Sequence, residues 1–207
     1  MDKKTSNEYE HEYWSQGKYL CGIDEAGRGP IAGPLVVAGV VFPLGYQNDS
    51  IYDSKALREK KREELFNVII NDALEYKILI IDEREIEKKN IYHATRDAMQ
   101  KIAEELNADV VLTDAMKLPN YEKTVVIDIV KGDQKSISIA AASILAKVTR
   151  DRIMMDYDLQ YPLYGFASHK GYPTKKHLEA LEKYGVLDIH RRNYGPVSVL
   201  LQPKLDL

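Results

Sequence analysis

The chain has 207 residues, 44% of them hydrophobic and 29% charged, which is enough apolar sequence for the core of one ordinary domain and too much for a disordered polyelectrolyte. Its 29 Lys+Arg against 32 Asp+Glu give a net charge of −3, which excludes a histone-like basic protein and by itself names no partner. A single cysteine, Cys21, excludes a disulfide framework and a cysteine-built zinc site, and predicts a reducing compartment with the cytoplasm as its default.

Residues 1–17 are charged and polar, lack the apolar segment of a secretory signal, and read as a tail ahead of one continuous domain over 18–207. Residues 19–24 and 35–42 are short and apolar or β-branched and bounded by Gly and Pro, which predicts two paired strands. Asp53-Ser54 predicts the cap of a helix over 55–74, followed by a third strand over 76–81 and a helix over 91–106. A fourth strand over 110–113 ends on Asp114, and a fifth over 124–130 closes at Gly132. A long helix over 136–159 and a shorter one over 175–184, set between Pro173 and Gly185, complete the order. Early strands followed by strands alternating with helices predict an α/β fold with a mixed sheet. The longest apolar stretch, residues 31–43, is broken by Gly33, Pro34 and Gly39 and is shorter than the roughly 20 residues a spanning helix needs, so no membrane span is expected.

Charge is unevenly distributed. Residues 131–193 carry 11 Lys+Arg and 7 Asp+Glu, net +4, together with His169, His177 and His190, while the remainder is net −7. Such a bias reads first as an ordinary solvated face and is compatible with a phosphate-facing surface. On the long helix, Lys147, Arg150 and Arg152 read as solvated, and Asp151 as a helix-surface residue. The run HKGYPTKKH at 169–177 interleaves basic groups with an aromatic, a composition suited to phosphates plus a stacked sugar or base.

The run GRGPIAG at 27–33 is not a dinucleotide loop, because its last glycine is misplaced and a strand-like sequence follows where a helix N-terminus is required. Three strand ends instead deliver carboxylates: Asp24 and Glu25 after the first, Asp114 after the fourth, and Asp133 after the fifth. Each alone reads first as a turn or helix cap. Together, with no Cys or His cluster competing, they suit a hard oxygen-ligated cation such as Mg²⁺ or Mn²⁺. Spacing leaves open whether these ends converge.

Five collinear blocks carry a resemblance. GKYLCGIDEAGRGPIAGPLVVAGVV at 17–41, DSK at 53–55, VLTDAMKLP at 111–119, KGDQKSISIAAASILAKVTRDR at 131–152 and HKGYPTKKH at 169–177 are similar to bacterial ribonuclease HII. The resemblance implies a ribonuclease H-like α/β fold with a five-stranded mixed sheet flanked by helices and a small C-terminal helical region. It implies that Asp24, Glu25, Asp114 and Asp133 form a four-carboxylate site for two Mg²⁺ or Mn²⁺ ions. It further implies that Gly27, Arg28 and Gly29 read the ribose 2′-hydroxyl and nearby phosphates, that Tyr172 packs on the sugar at an RNA-to-DNA junction, and that Lys55 and Lys147 contact substrate. The expected activity is endonucleolytic cleavage of the RNA strand of RNA–DNA hybrids, and of DNA duplexes 5′ of embedded ribonucleotides, leaving 5′-phosphate and 3′-hydroxyl ends. The chain is expected to act as a monomer away from membranes. A short N-terminal segment and Tyr172 favour type II over the type III relative. A hybrid-binding module without catalysis would lack one of the four acids, and an integrase- or resolvase-like enzyme would lack the Gly-Arg-Gly and Tyr172 elements. One position departs from the family: Ala115 stands where many members carry Gly directly after the third acid.

Overall fold

The structure is a computed structural model and describes residues 5–118 and 124–202. The first four residues of the expected tail, Pro119 at the end of the third block, and the last five residues lie outside the described residues. The chain forms two compact units, each assembled from separated segments. The first takes the chain up to Ala26, then Val36–Ile80 and Thr95–Val148; the second takes Gly27–Leu35, Ile81–Ala94 and the chain from Thr149 onward. Because both units are built from interleaved segments, no compositional linker marks their boundary, and the sequence reads as one domain.

The first unit is organised by a five-stranded sheet: β1 (Leu20–Ala26), β2 (Leu35–Val41), β3 (Glu75–Ile81), β4 (Val110–Asp114) and β5 (Val125–Ile129), in spatial order β3-β2-β1-β4-β5. β1 pairs antiparallel with β2 and parallel with β4, and β4 pairs parallel with β5, so the sheet is mixed as expected. The burial of each strand follows its place. Every residue of β2 is buried, and Val110 to Thr113 of β4 are buried, whereas edge strands β3 and β5 keep several half-buried or exposed positions. Continuous apolar sequence therefore marks the middle of the sheet, where both faces are covered, and each fully buried Val or Leu contributes about 1.5–3 kcal/mol.

Two glycines set how closely helices approach those faces. A Cβ at Gly22 would lie 2.2 Å from the Ser138 carbonyl carbon, and one at Gly39 would lie 2.3 Å from Ile102 Cγ2. Gly22 faces Val40 across the ladder while Gly39 faces Ile23, so the two glycines look to opposite sides of the sheet. The start of the long helix α5 (Ile137–Gln160) thus lies against one face and α4 (Ile91–Glu105) against the other.

The segment read as a polar tail carries a helix, α1 (Glu8–Trp14). Its Tyr9, Tyr13 and Trp14 pack on a core of Leu20, Val110, Leu112, Ile129 and Ile139. Fully buried Glu10 accepts from Ser136 Oγ at 2.6 Å and from the Ser138 N–H at 3.1 Å, which ties α1 to the first turn of α5. The helix expected from residue 55 begins later, as α2 (Glu59–Asp72). Asp53 instead closes a turn, its Oδ1 accepting the Lys55 N–H at 2.9 Å and its carbonyl the Ala56 N–H at 3.0 Å.

The second unit contains α3 (Glu83–Lys89), capped by the Asp82 side chain, the short α6 (Phe166–His169), α7 (Lys175–Tyr184), capped by Thr174, and α8 (Gly195–Leu200). Its core gathers Ala32, Met154, Tyr164, Phe166, Ala180 and Ile189, with Ile31, Leu181 and Val197 beside one another in a second cluster. No helix among the described residues is long and apolar enough to cross a membrane.

Gly22→Ala is expected to cost about 3 kcal/mol, because its methyl meets backbone and not a movable side chain. Urea unfolding of the variant measures the loss as a lowered midpoint at unchanged slope.

Candidate active site

The parallel pairing of β1 with β4 runs from Leu20 beside Val110 to Ile23 beside Thr113, and one further step sets Asp24 beside Asp114. Asp114 is also the last paired residue of β4, opposite Ile129 of β5. From β5 the chain turns through Lys131, at φ 58°, into a 3-10 turn over Gly132–Gln134, and the Gly132 N–H donates to Asp114 Oδ1 at 2.9 Å. Asp133 is therefore delivered beside the same strand ends. The convergence that spacing left open is a consequence of strand order.

Asp24 is 5% exposed; its Oδ1 accepts the Glu25 N–H at 2.7 Å and it is hydrogen-bonded to the Ser143 hydroxyl. Ser143 Oγ lies 2.9 Å from Ser54 Oγ, both hydroxyls buried. Burial pushes the Asp24 carboxyl well above the usual carboxylate range, and the charges of Glu25 and Asp114 push it further. Asp133 is pushed up by burial, then by Asp53 and Asp114, while Lys55 pulls the other way. Buried like charges repel strongly where the effective dielectric is low, so this arrangement is relieved when a cation sits among the oxygens.

The donors are all oxygen, which fits a hard divalent cation and not zinc. Among the described residues, no three His, Cys, Asp or Glu side chains are gathered closely enough to hold an ion by themselves.

Ala115 has φ 53°, and its N–H donates to the Ile129 carbonyl at 3.1 Å. The residue that departs from the family pattern thus occupies the left-handed region, where a Cβ costs about 1–2 kcal/mol and Gly is at ease.

Lys55 is exposed in the Asp53-Ser54-Lys55 turn, and Lys147 is half-buried on α5; both belong to the first unit with the carboxylates. Gly27, Arg28, Gly29 and Tyr172 belong to the second unit. There, Gly29 approaches Tyr172 so closely that a Cβ would stand 3.4 Å from Tyr172 Cε1. Arg28, Gly29 and Tyr172 are exposed, whereas Gly27 is buried.

Two buried arginines hold this loop by its carbonyls. Arg150 donates from Nε to the Pro34 oxygen at 2.9 Å, from Nη2 to Ala32 at 3.0 Å and from Nη1 to Lys170 at 2.8 Å. Arg191 donates from Nη2 to the Gly27 oxygen at 2.6 Å and from Nη1 to Arg28 at 3.2 Å; its Nε and Nη2 reach Gly33 at 3.0 and 2.8 Å. Burial and mutual repulsion lower the Arg150 pKa to about 10, against the opposing charges of Asp151 and buried Glu83. The expectation of a solvated Arg150 and a surface Asp151 is therefore corrected: they are 1% and 4% exposed. Helix periodicity misassigns them because this part of α5 is covered on more than one side.

The three histidines of the basic segment are also buried, not phosphate-facing. Burial lowers all three, His177 and His190 to about 4, with His177 and His190 each further disfavoured by a neighbouring imidazole. Ser143 and Arg191 are not singled out by sequence, and Asp53 and Ser54 only as a helix cap and within the DSK block. The one available signal was Ser143 as a lone hydroxyl inside the apolar run AAASILA.

The family profile of Ribonuclease HII matches residues 21–196, a span that contains all four acids, the glycine-rich loop and Tyr172. The chain belongs to the ribonuclease HII family. Ribonuclease HII of Francisella tularensis subsp. mediasiatica (strain FSC147) is 54% identical over 184 residues, covering 88% of this chain and 98% of that protein. Its counterpart from subsp. novicida (strain U112) is 53% identical, covering 88% and 99%. Among solved structures, ribonuclease H2 from Pyrococcus horikoshii OT3 superposes with a TM-score of 0.73 at 26% identity, covering 88% of this chain and 96% of that one. RNase HII in the PCNA:RNase HII complex from Archaeoglobus fulgidus gives 0.71 at 27%, covering 90% and 98%. The chain is accordingly a type II ribonuclease H with the ribonuclease H-like fold that its sequence predicts.

Ala115→Gly is expected to raise stability by about 0.5–1 kcal/mol, relief of the left-handed Cβ outweighing the entropy that glycine adds to the unfolded chain. Thermal melting at matched pH checks the sign. The histidines set an acid limit: as pH falls from 6.5 toward about 4, the unfolded chain takes up protons that folded His177 and His190 refuse. Their contribution is complete above 6.5 and should decline below it by up to about 1.4 kcal/mol per pH unit for each histidine. Urea midpoints at pH 7 and pH 5 measure this, and His177→Asn with His190→Gln should flatten the slope.

Proposed function

We propose that this protein cleaves the RNA strand of RNA–DNA hybrids and incises DNA duplexes on the 5′ side of embedded ribonucleotides, leaving 5′-phosphate and 3′-hydroxyl ends. The observation that carries the chemistry is the meeting of strand ends: the β1–β4 register sets Asp24 beside Asp114, and the Gly132 N–H on Asp114 Oδ1 brings Asp133 alongside, with burial and neighbouring charges raising Asp24 and Asp133. Carboxylates in this state are poor as a group of free anions and well suited to divalent cation ligation.

Asp24, Glu25, Asp114 and Asp133 would hold two Mg²⁺ or Mn²⁺ ions. When bound, such a pair activates the attacking water and stabilises the departing 3′ oxygen of an in-line displacement. The chain's own groups do the rest. The Gly132 N–H and the Ser143 hydroxyl hold the Asp114 and Asp24 carboxylates in place before substrate arrives. Exposed Lys55 offers a cation for substrate phosphate, and half-buried Lys147 is the second lysine assigned to that role.

Discrimination of RNA from DNA is assigned to the Gly27-Arg28-Gly29 turn and Tyr172. Arg191 draws the Gly27 and Arg28 carbonyls inward, so the turn is held rigid by its acceptors while Arg28 and Gly29 stay exposed to substrate. A ribose 2′-hydroxyl can both donate and accept at such a polar turn, and a deoxyribose cannot. Tyr172, 47% exposed, offers an aromatic face to the sugar beyond the junction. The basic segment offsets the net acidity of the chain where phosphates bind. The functioning form is a monomer in the cytoplasm.

Asp114→Asn removes a ligand charge at constant volume and should lower kcat on a duplex with one embedded ribonucleotide by at least about 100-fold, with melting temperature and duplex affinity little changed. Exhaustive chelation should abolish activity in the parent, and Mg²⁺ or Mn²⁺ should restore it. Near-parental turnover by Asp114→Asn, or cleavage that survives chelation, would sink the assignment. Failure of the parent to cut that duplex while cutting long hybrids would restrict the activity to hybrids.

A further inference from the structure

The segment that carries Tyr172 is gripped on every side by buried polar groups of the second unit. The Lys170 carbonyl accepts from Arg150 Nη1 at 2.8 Å, and the Gly171 N–H donates to His169 Nδ1 at 3.2 Å. The Gly171 carbonyl accepts the Ile31 N–H at 2.9 Å, and the Tyr172 N–H donates to the His169 carbonyl at 2.9 Å. The Tyr172 carbonyl accepts the Thr174 N–H at 2.8 Å and His177 Nδ1 at 2.9 Å.

One proton arrangement satisfies the imidazoles. A carbonyl only accepts, so His177 Nδ1 carries its hydrogen and neutral His177 Nε2 is an acceptor. The Leu187 N–H donates to His190 Nδ1 at 2.9 Å, so neutral His190 carries its hydrogen on Nε2. These two Nε2 atoms lie 3.1 Å apart, a donor meeting an acceptor. The polarity therefore runs in one direction: Leu187 N–H to His190, His190 to His177, His177 to the Tyr172 carbonyl. His169 completes the set, with its Nδ1 taken by Gly171 and its Nε2–H donating to the Tyr164 carbonyl at 2.8 Å. The His169 and His177 rings stack with centroids 4.3 Å apart, and Phe166 meets His177 edge-on at 5.3 Å. The relay ends at the backbone of a residue whose ring is 47% exposed.

We infer that His177 and His190 are positioning residues for substrate selection, fixing through the Tyr172 carbonyl the aromatic ring that meets the sugar at an RNA-to-DNA junction. This rests on the junction role proposed above for Tyr172. A relay of fixed polarity locks one backbone geometry at Tyr172, and the ring direction follows the backbone. A network that served only folding would have no reason to act on one substrate class more than another.

The test is the ratio of kcat/KM on a duplex with one embedded ribonucleotide to that on a continuous RNA–DNA hybrid, in Tyr172 and Tyr172→Ala backgrounds, with melting temperatures alongside. His177→Leu and His190→Leu remove the relay. His177→Asn keeps a donor in place of Nδ1, and His190→Gln keeps one in place of Nε2. The leucine variants should lower the ratio about 5- to 10-fold, the amide variants should stay within about 2-fold of the parent, and the leucine changes should add nothing in the Tyr172→Ala background. Should a leucine variant fail to fold, His177→Gln breaks only the contact with the Tyr172 carbonyl, since its longer amide reaches the Nε2 position and can still accept from His190, and the same fall in ratio is expected. Lowered melting with an unchanged ratio, or an equal fall in both backgrounds, overturns the positioning role while leaving that of Tyr172 intact. A Tyr172→Ala ratio equal to the parent's overturns the junction role and the inference with it.

Discussion

The parallel pairing of β1 with β4 is the constraint from which the site follows. It is formed by fully buried apolar residues, Leu20, Cys21 and Ile23 against Val110, Val111 and Leu112, and its register leaves Asp24 and Asp114 as neighbours. The strands would relieve the repulsion between those carboxylates by slipping, but a one-residue slip would turn every buried side chain toward the wrong face. Several buried aliphatics at about 1.5–3 kcal/mol each outweigh the repulsion of that one carboxylate pair. Gly22 supports the same arrangement from the opposite direction, because it lets the start of α5 approach β1 at backbone distance. Ser143 rides on that helix and reaches Asp24.

The second unit solves a different problem with buried cations. A loop of Gly and Pro makes few side-chain contacts of its own, so its shape has to come from outside. Arg150 and Arg191 supply it by donating to the carbonyls of Gly27, Arg28, Ala32, Gly33 and Pro34. Burying two guanidiniums is costly unless every N–H finds an acceptor, and here carbonyl oxygens and the nearby charge of Glu83 provide compensation. Rigidity in the loop and neutrality in the three histidines are two forms of the same device: buried polar groups that are fully satisfied in one geometry and strained in any other.

Backbone strain sits beside the carboxylates. Ala115 and Lys131, both at positive φ, immediately follow β4 and lead from β5 into the turn that carries Asp133. Each aims the chain so that a carboxylate or an N–H points at the cluster, and the surrounding sheet holds them there. The methyl of Ala115 shows that this geometry tolerates a Cβ at an energetic cost.

By itself the sequence determined the strands, because short β-branched or apolar runs bounded by turn residues admit little else, and it determined helices α4, α5 and α7 through periodicity and, for α7, through Pro173 and Gly185 at its ends. It also delivered the four acids, each at a strand end, and through the five collinear blocks the family. It did not determine the start of α2, where Asp53 competes successfully as a turn former, nor the helical character of residues 8–14, whose anchoring depends on Glu10 meeting serines 126 and 128 positions away. Only the tertiary structure decided that Arg150, His169, His177 and His190 are buried, since charge in a sequence carries no sign of where its hydrogen-bond partners will come from. Those partners are carbonyls and imidazoles distant along the chain, and folding alone brings them within 3 Å or so of one another.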